Sequence, residues 1–402
     1  MHVPSSSQRL RYTPPVTDTT PPSSTNRWLL LFSAVVSFFA VATTFFAVPP
    51  LVPELTIHFG LSNFQIGLLV GSIAIPAIFL SIPLGAAIDR WPPRAAGNVG
   101  LLFMLIGASL FAAAPSYAFL LVGRLLFGFG GLVMNLLLAR LLTEAFSGRQ
   151  LALAMGIFMA VYPAGMISLF SSHSLMLGAF GWRGELAVLA ALTLFAIPLH
   201  NLAVPKRGGD QPSPETSTTS NASAVGRPLI MLSVAWMLFF AAFSSVPTFA
   251  PQWVGGGQQG LMTVTLIMWI AMILSPILGA VIDRIGRPTA WVFGGLVLLT
   301  LTLGLMAIGV VSAVAAMILV GLCAAAVPTA TYAMPARIVP AARVGFAFGF
   351  ITAFSNLGTV VGPPIAGAIL DASGDWFLMW ISLAALAGLG AMAAALIRPK
   401  TL

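Results

Sequence analysis

The chain has 402 residues, of which 58% are hydrophobic and only 7% charged, with a mean hydropathy of +1.00. A soluble domain carries about a quarter of its residues charged, so this composition excludes a water-facing surface of ordinary size and leaves lipid as the main solvent. The net charge of +8 is spread in ones and twos between apolar runs, which excludes a basic nucleic-acid face, and the single cysteine, Cys323, excludes a disulfide framework or a cysteine metal site.

Residues 1–27 open the chain as a Ser/Thr/Pro-rich stretch holding Arg9 and Arg11, expected to be a disordered cytoplasmic tail rather than a signal peptide. A helix that crosses a bilayer needs about 20 apolar residues, and hydropathy predicts six such spans over 28–50, 65–88, 96–114, 118–141, 151–172 and 184–204. The segment 205–227 contains Lys206-Arg207-Gly208-Gly209-Asp210 and a Ser/Thr/Pro/Asn run, which reads as a cytoplasmic linker. The sequon Asn221-Ala222-Ser223 inside it would then never meet the glycosylation machinery. Six more spans follow over 229–251, 260–282, 289–310, 312–334, 344–369 and 377–397, within a second bundle covering 228–398. The weakest division is the one between the ninth and tenth spans, where only Gly309 to Ser312 intervene.

Charge tests the count. With twelve spans and both termini inside, Arg9, Arg11, Arg27, Arg90, Arg94, Arg140, Arg149, Lys206 and Arg207 fall on the inner side, as do Arg227, Arg284, Arg287, Arg337, Arg343, Arg398 and Lys400. Only Arg124 and Arg183 lie elsewhere, leaving 16 of the 18 basic residues inside, as the positive-inside rule requires. A miscounted helix would reverse every later loop. The halves also repeat one another: Gly85-Ala86-Ala87-Ile88-Asp89-Arg90 recurs as Gly279-Ala280-Val281-Ile282-Asp283-Arg284, and Ala154-Met155-Gly156-Ile157 as Ala347-Phe348-Gly349-Phe350. The fold expected is therefore an all-α membrane protein of twelve transmembrane helices in two pseudo-symmetric six-helix bundles.

Duplicated six-helix halves joined by a cytoplasmic linker resemble the major facilitator superfamily. Its loop after the second span carries a Gly-x-x-x-Asp-Arg-x-Gly-Arg pattern, matched by Gly279, Asp283, Arg284, Gly286 and Arg287. The first-half copy keeps Gly85, Asp89, Arg90 and Arg94 but has Pro92-Pro93 in place of the glycine. Arg124-Leu125-Leu126-Phe127-Gly128 is similar to the family's Arg-x-x-x-Gly motif. The resemblance implies a secondary carrier working by alternating access, with Asp89 and Asp283 latching the halves in one state.

An arginine at mid-span costs about 2.5–3.5 kcal/mol on insertion scales, so Arg124 must face protein or water; the resemblance assigns it substrate or proton handling, against a structural role on backbone carbonyls. The family's cavity implies candidates on the first, fourth, seventh and tenth spans: Thr43, Thr44, Phe45 and Phe46, Asn135, Trp236, Ser244, Ser245 and Thr248, and Thr329, Thr331 and Tyr332. Tyr162 and Asn356 on neighbouring spans can join them. Gly349, Gly358, Gly362-Pro363 and Gly367 make the eleventh span a close-packing helix with a hinge. This pattern is similar to a Gly-Pro motif that proton-driven drug exporters place in their fifth span, where this chain has Leu169-Phe170 instead.

Gly181-Trp182-Arg183-Gly184-Glu185 reads as an interfacial anchor or an external gate. Glu54 and Glu185 lie near outer ends and Glu144 near an inner one, with His58, His173 and His200 at or outside span ends, so no buried carboxylate relay is expected. Gly128-Phe129-Gly130-Gly131 lies within a span and lacks Lys-Ser/Thr, which excludes a phosphate loop; no catalytic cluster, cofactor or metal site is visible, and no enzyme is expected. The expectation is a monomeric carrier of a small solute in the bacterial cytoplasmic membrane, surrounded by lipid and with a proton as a coupling candidate. Arg124 hints at a small organic or inorganic anion, and with Gly181-Trp182-Arg183 it looks like bacterial cyanate and organic-anion carriers. Efflux of apolar drug-like compounds, or a receptor or assembly factor of the same fold, are the alternatives.

Overall fold

The computed structural model describes residues 24–88, 90–204, 226–340 and 343–397, and these are helical almost throughout. The first half comprises α1 (Ser24–Phe45), a 3-10 turn (Pro49–Leu51), α2 (Val52–Phe59), α3 (Asn63–Ser72), α4 (Ile75–Ile88), α5 (Pro93–Ala112), α6 (Tyr117–Ala145) and α7 (Gly148–Ala203). The second comprises α8 (Arg227–Trp253), α9 (Gly257–Ile285), α10 (Pro288–Ala307), α11 (Ala313–Tyr332), the single turn α12 (Pro335–Ile338), α13 (Val344–Ser373) and α14 (Trp376–Ala395).

Eleven helices among the described residues are long and apolar enough to cross a membrane. The longest, α7, has 56 residues; at 1.5 Å per residue it would run about 84 Å, far beyond a hydrocarbon core of about 30 Å. It breaks at Gly181, where φ is 68° and ψ 173°, a conformation that only glycine adopts without strain. The two arms are therefore separate spans, the fifth and sixth, and the total is twelve. The narrow division expected between the ninth and tenth spans is present, with Gly309 at φ 69° between α10 and α11.

Two details depart from the hydropathy reading. The second span is interrupted: Ile73 and Ala74 both turn their N–H to the Gly71 carbonyl, separating α3 from α4. The fifth span runs on to the break at Gly181 rather than ending at 172, with His173 partnered by Glu185 and Ser174 by Gln258. The tail and linker expected over 1–27 and 205–227 lie largely outside the described residues.

Within each half the spans pack as bundles, α1 on α7 and α5 on α6 in the first, α8 on α13 and α10 on α14 in the second. The halves meet along two seams, α3 with α13 and α7 with α9. Small residues set the first seam: a Cβ on Gly67 would collide with Pro363, and one on Gly367 with Asn63. With an even number of spans, α1 begins and α14 ends on the same side of the bundle, called here the termini face; the opposite end is the far face.

Candidate functional site

The site begins with two broken helices. Pro49 has no N–H to offer the Phe45 carbonyl, and α1 ends there in a 3-10 turn. In α3 the bonds of Ile73 and Ala74 to Gly71 leave the Leu69 and Val70 carbonyls without their usual partners. Arg124, on α6 and 1% exposed, fills all these vacancies. Its Nε donates to Leu69 O at 3.1 Å, Nη1 to Thr44 O at 2.5 Å, and Nη2 to Phe45 O at 3.2 Å and Val70 O at 3.3 Å. The guanidinium also lies over the Phe111 ring at 5.8 Å. The fork geometry of arginine suits such divided bonding, where lysine offers a single point. Arg124 therefore staples α1 to α3 and turns no donor toward open space.

In front of this staple lies a central cavity between the halves. It is lined by Phe45, Phe46 and Pro49, Val70 of α3, Tyr162 of α7, Phe240, Phe243, Ser244, Pro247 and Thr248 of α8, and Thr359 of α13. Tyr162 packs its ring against Phe46 at 5.0 Å and Phe45 at 5.7 Å. The hydroxyls of the wall donate to their own helices: Ser244 to Phe240 O at 2.7 Å, Thr248 to Ser244 O at 2.8 Å and Thr359 to Ser355 O at 3.1 Å.

Of the candidates drawn from sequence, Phe45, Phe46, Tyr162, Ser244 and Thr248 come together in this cavity. Trp236 is buried beside it, stacked on Phe239 at 5.3 Å and edge-on to Phe240 at 4.7 Å and Tyr332 at 5.7 Å. Tyr332 is half-exposed against Phe348, Asn356 donates to Thr352 O at 2.9 Å, and Asn135 is exposed on α6. These three stand apart from the lining. The apolar wall, Val70, Phe240, Phe243 and the two prolines, escaped sequence reasoning because such residues are ordinary in any span. Thr359 escaped because the eleventh span was read for its glycines; the Pro363 one turn later was the available signal.

The far face is held shut by two latches placed alike in the two seams. At the first, Asp371 of α13 receives the N-terminus of α3: its Oδ1 accepts from Asn63 N at 2.9 Å and Asn63 Nδ2 at 2.8 Å, its Oδ2 from Phe64 N at 2.8 Å. A carboxylate on a helix N-terminus meets both the free N–H groups and the helix dipole. At the second, Gln258 at the start of α9 reaches α7. Its Oε1 accepts from Ser174 N at 3.2 Å and Ser174 Oγ at 2.8 Å, while its Nε2 donates to Phe170 O at 2.9 Å and Ser171 O at 3.1 Å. Gly255, Gly256 and Gly257, at φ 115°, 74° and 61°, make the tight turn that delivers Gln258 there.

Behind the second latch lies a pair the sequence did not lead us to expect. His173 Nδ1 is 3.0 Å from Glu185 Oε2 and 3.2 Å from Oε1, and both side chains are buried. The expectation of no buried carboxylate is corrected here: the break at Gly181 folds the sixth span back so that Glu185 faces His173. Next to it, Arg183 stacks on Trp182 at 4.6 Å and donates to Ala114 O at 3.2 Å.

At the termini face the described charged residues of the repeated loop motif make no hydrogen bond or ion pair across the halves. Arg90, Asp283, Arg284 and Arg287 are exposed, and Asp89 lies outside the described residues. A Cβ on Gly85 would meet nothing and one on Gly279 only Thr329, at 3.6 Å. Arg337 donates to Gly286 O at 3.1 Å, tying the second-half loop to α12 of its own bundle. Gly358 and Gly362 have a packing role within the second half, since a Cβ on either would strike the backbone of Met237 or Ala241 in α8. Pro363 sits at the seam against Gly67.

Two six-span bundles meeting at a central cavity, shut at one end and unlatched at the other, define the class of membrane carriers. The sequence model described as Major Facilitator Superfamily matches residues 30–313 and 254–401, and the chain belongs to that family. Human monocarboxylate transporter 11 is 27% identical over 360 residues, covering 81% of this chain and 73% of its own. The lysosomal dipeptide transporter MFSD1 of Danio rerio is 25% identical, over 75% and 72% of the two chains. Among solved structures the fold is similar to the nucleoside transporter NupG, with a TM-score of 0.75, 15% identity and coverage of 92% and 98%. It is also similar to a bacterial homologue of the human lysosomal transporter Spinster, described as inward-facing and occupied, with a TM-score of 0.78, 13% identity and coverage of 93% and 96%. These relatives give no support to the narrower likeness to cyanate and organic-anion carriers.

Proposed function

We propose that the chain is a secondary carrier that moves a small solute across its membrane by alternating access, with the cavity between Phe45, Tyr162, Ser244, Thr248 and Thr359 as the transport site. The observation that carries this reading is the asymmetry of the two ends. Hydrogen bonds accepted by Asp371 and shared by Gln258 close the far face, while Arg90, Asp283, Arg284 and Arg287 of the loop motif at the termini face stand exposed. The distribution of Lys and Arg supports cytoplasmic termini, and on that reading this state faces inward. Opening the far face requires both latches to part, and the motif residues at Asp283 and Arg284 are then placed to close the other end.

Both halves of a single chain line the cavity, so one chain can form the site. Among the described residues its wall holds no charged side chain, and Arg124 makes four hydrogen bonds to backbone carbonyls, so Arg124 lends no support to an anionic solute.

The test joins Asn63→Cys to Asp371→Cys with a short bifunctional thiol reagent in proteoliposomes. The native Cys323 is buried and does not compete. Solute exchange stops on cross-linking and returns on cleaving the linker if the far face must open; exchange that continues through the cross-linked protein refutes alternating access at this seam.

A further inference from the structure

The chemistry of the cavity wall identifies the class of solute it can hold, an inference that rests on the transport reading above. Five aromatic rings line the cavity, those of Phe45, Phe46, Tyr162, Phe240 and Phe243. Aromatic faces favour a flat ring, stacked or edge-on. The polar groups are one-sided. Ser244, Thr248 and Thr359 each spend their only hydrogen on their own helix, so toward a guest they offer lone pairs. Pro247 and Pro363 have no N–H to give the Phe243 and Thr359 carbonyls one turn earlier, and both of those residues line the cavity. Tyr162 alone among the lining side chains brings a hydroxyl with no protein partner.

This wall discriminates by charge in both directions. An anion would face acceptor oxygens and find a single donor. It could draw on the Arg124 charge only at a distance, since that guanidinium is turned toward the carbonyls behind Phe45 and Val70. A cation would find acceptors and ring faces, but the same guanidinium lies behind the wall and no carboxylate lines the cavity. Burying either charge without a partner is costly. A neutral guest with donors of its own satisfies the wall and leaves nothing unpaired. We propose that the cavity takes an uncharged aromatic solute bearing N–H or O–H donors.

The probes are four compounds of nearly one shape: benzamide, benzoate, benzamidinium and methyl benzoate. Binding to the purified full chain is measured by calorimetry or competition, and exchange of labelled benzamide is measured in proteoliposomes. Benzamide is expected to bind about tenfold or more tighter than benzoate or benzamidinium, a difference of one decade in affinity. Methyl benzoate, neutral but without donors, is expected to fall between. Thr248→Val and Thr359→Val keep shape and remove an acceptor, so each weakens benzamide several-fold and leaves methyl benzoate unchanged. Tighter binding of benzoate or of benzamidinium overturns the proposal, as does failure of benzamide to bind or an equal effect of the valine variants on all four probes. Benzamide that binds with this profile but does not exchange overturns the transport reading and leaves the solute class standing.

Discussion

Replacing Arg124 by methionine separates a staple from a substrate ligand. Four carbonyls lose a donor in that variant, but two keep another: Thr44 O still receives Ala47 N at 3.2 Å and Leu69 O still receives Ser72 Oγ at 2.9 Å. Phe45 O and Val70 O are left without one. An orphaned buried polar group costs about 1–3 kcal/mol, so the pair costs about 2–6 kcal/mol. Part of this is returned, because the variant no longer buries a charge that has no carboxylate beside it. The net loss expected is about 1–4 kcal/mol. Lysine, which keeps the charge but reaches from one point, should fall between methionine and the native residue. Thermal unfolding of the purified protein in detergent reads the stability, and exchange of the four probes reads the site. The staple predicts a lower melting temperature and a loss of exchange by the same factor for charged and neutral probes. An unchanged melting temperature with selective loss of benzoate exchange would refute it and make the guanidinium a ligand.

The far-face latches make a second prediction. Asp371→Asn keeps the shape but weakens the charge-assisted bonds to Asn63 and Phe64, and Gln258→Ala removes the second latch. Each should raise the labelling rate of a cysteine placed at Thr248, and the double variant should raise it more than either; unchanged labelling would show that packing alone shuts the face. The buried His173–Glu185 pair supplies a third. Removing one partner of such a pair costs about 3–5 kcal/mol, whereas apolar replacement of both is often near neutral. Glu185→Ala should therefore lower the melting temperature clearly, and His173→Leu combined with Glu185→Met should recover most of the loss; a double variant no better than the single would mean the pair is not the source. Finally, Gly362→Val should abolish folding of the second half, since a side chain there meets the Ala241 backbone, while Gly85→Val, with open space around it, should fold normally by size-exclusion profile.

The twelve spans were legible because lipid imposes an apolar run of nearly constant length, and the charge bias then checks the count. The end of α1 at Phe45 was legible only in hindsight from Pro49-Pro50, since hydropathy carried the first span to residue 50. The interruption of α3 was legible only in hindsight from Pro76, which denies an N–H to Ser72. A structural role for Arg124 on backbone carbonyls was one of the two readings the sequence offered, but which carbonyls it binds was not legible, because that depends on the ends of two other helices arriving around it, and nothing in the sequence near 124 encodes Thr44 or Val70. The pairing of His173 with Glu185 was hidden for a related reason. Twelve residues apart on a straight helix they would stand about 18 Å from each other, and only the reversal at Gly181 brings them into contact. In the cavity, hydroxyls and Tyr162 stood out against an apolar background, while Val70, Phe240 and Phe243 had no such contrast.

The amide of Gln258 engages the Ser174 N–H and the Phe170 carbonyl, the donor and acceptor that a regular α-helix pairs one turn apart. When α9 withdraws, those two groups can close on each other, so neither the donor nor the acceptor is left bare in a lipid-like medium. Part of the latch is thus an exchange of partners. Of the four hydrogen bonds that Gln258 makes to α7, two end on groups the helix can pair by itself, which lowers the cost of opening and lets a modest binding energy from a small guest tip the balance.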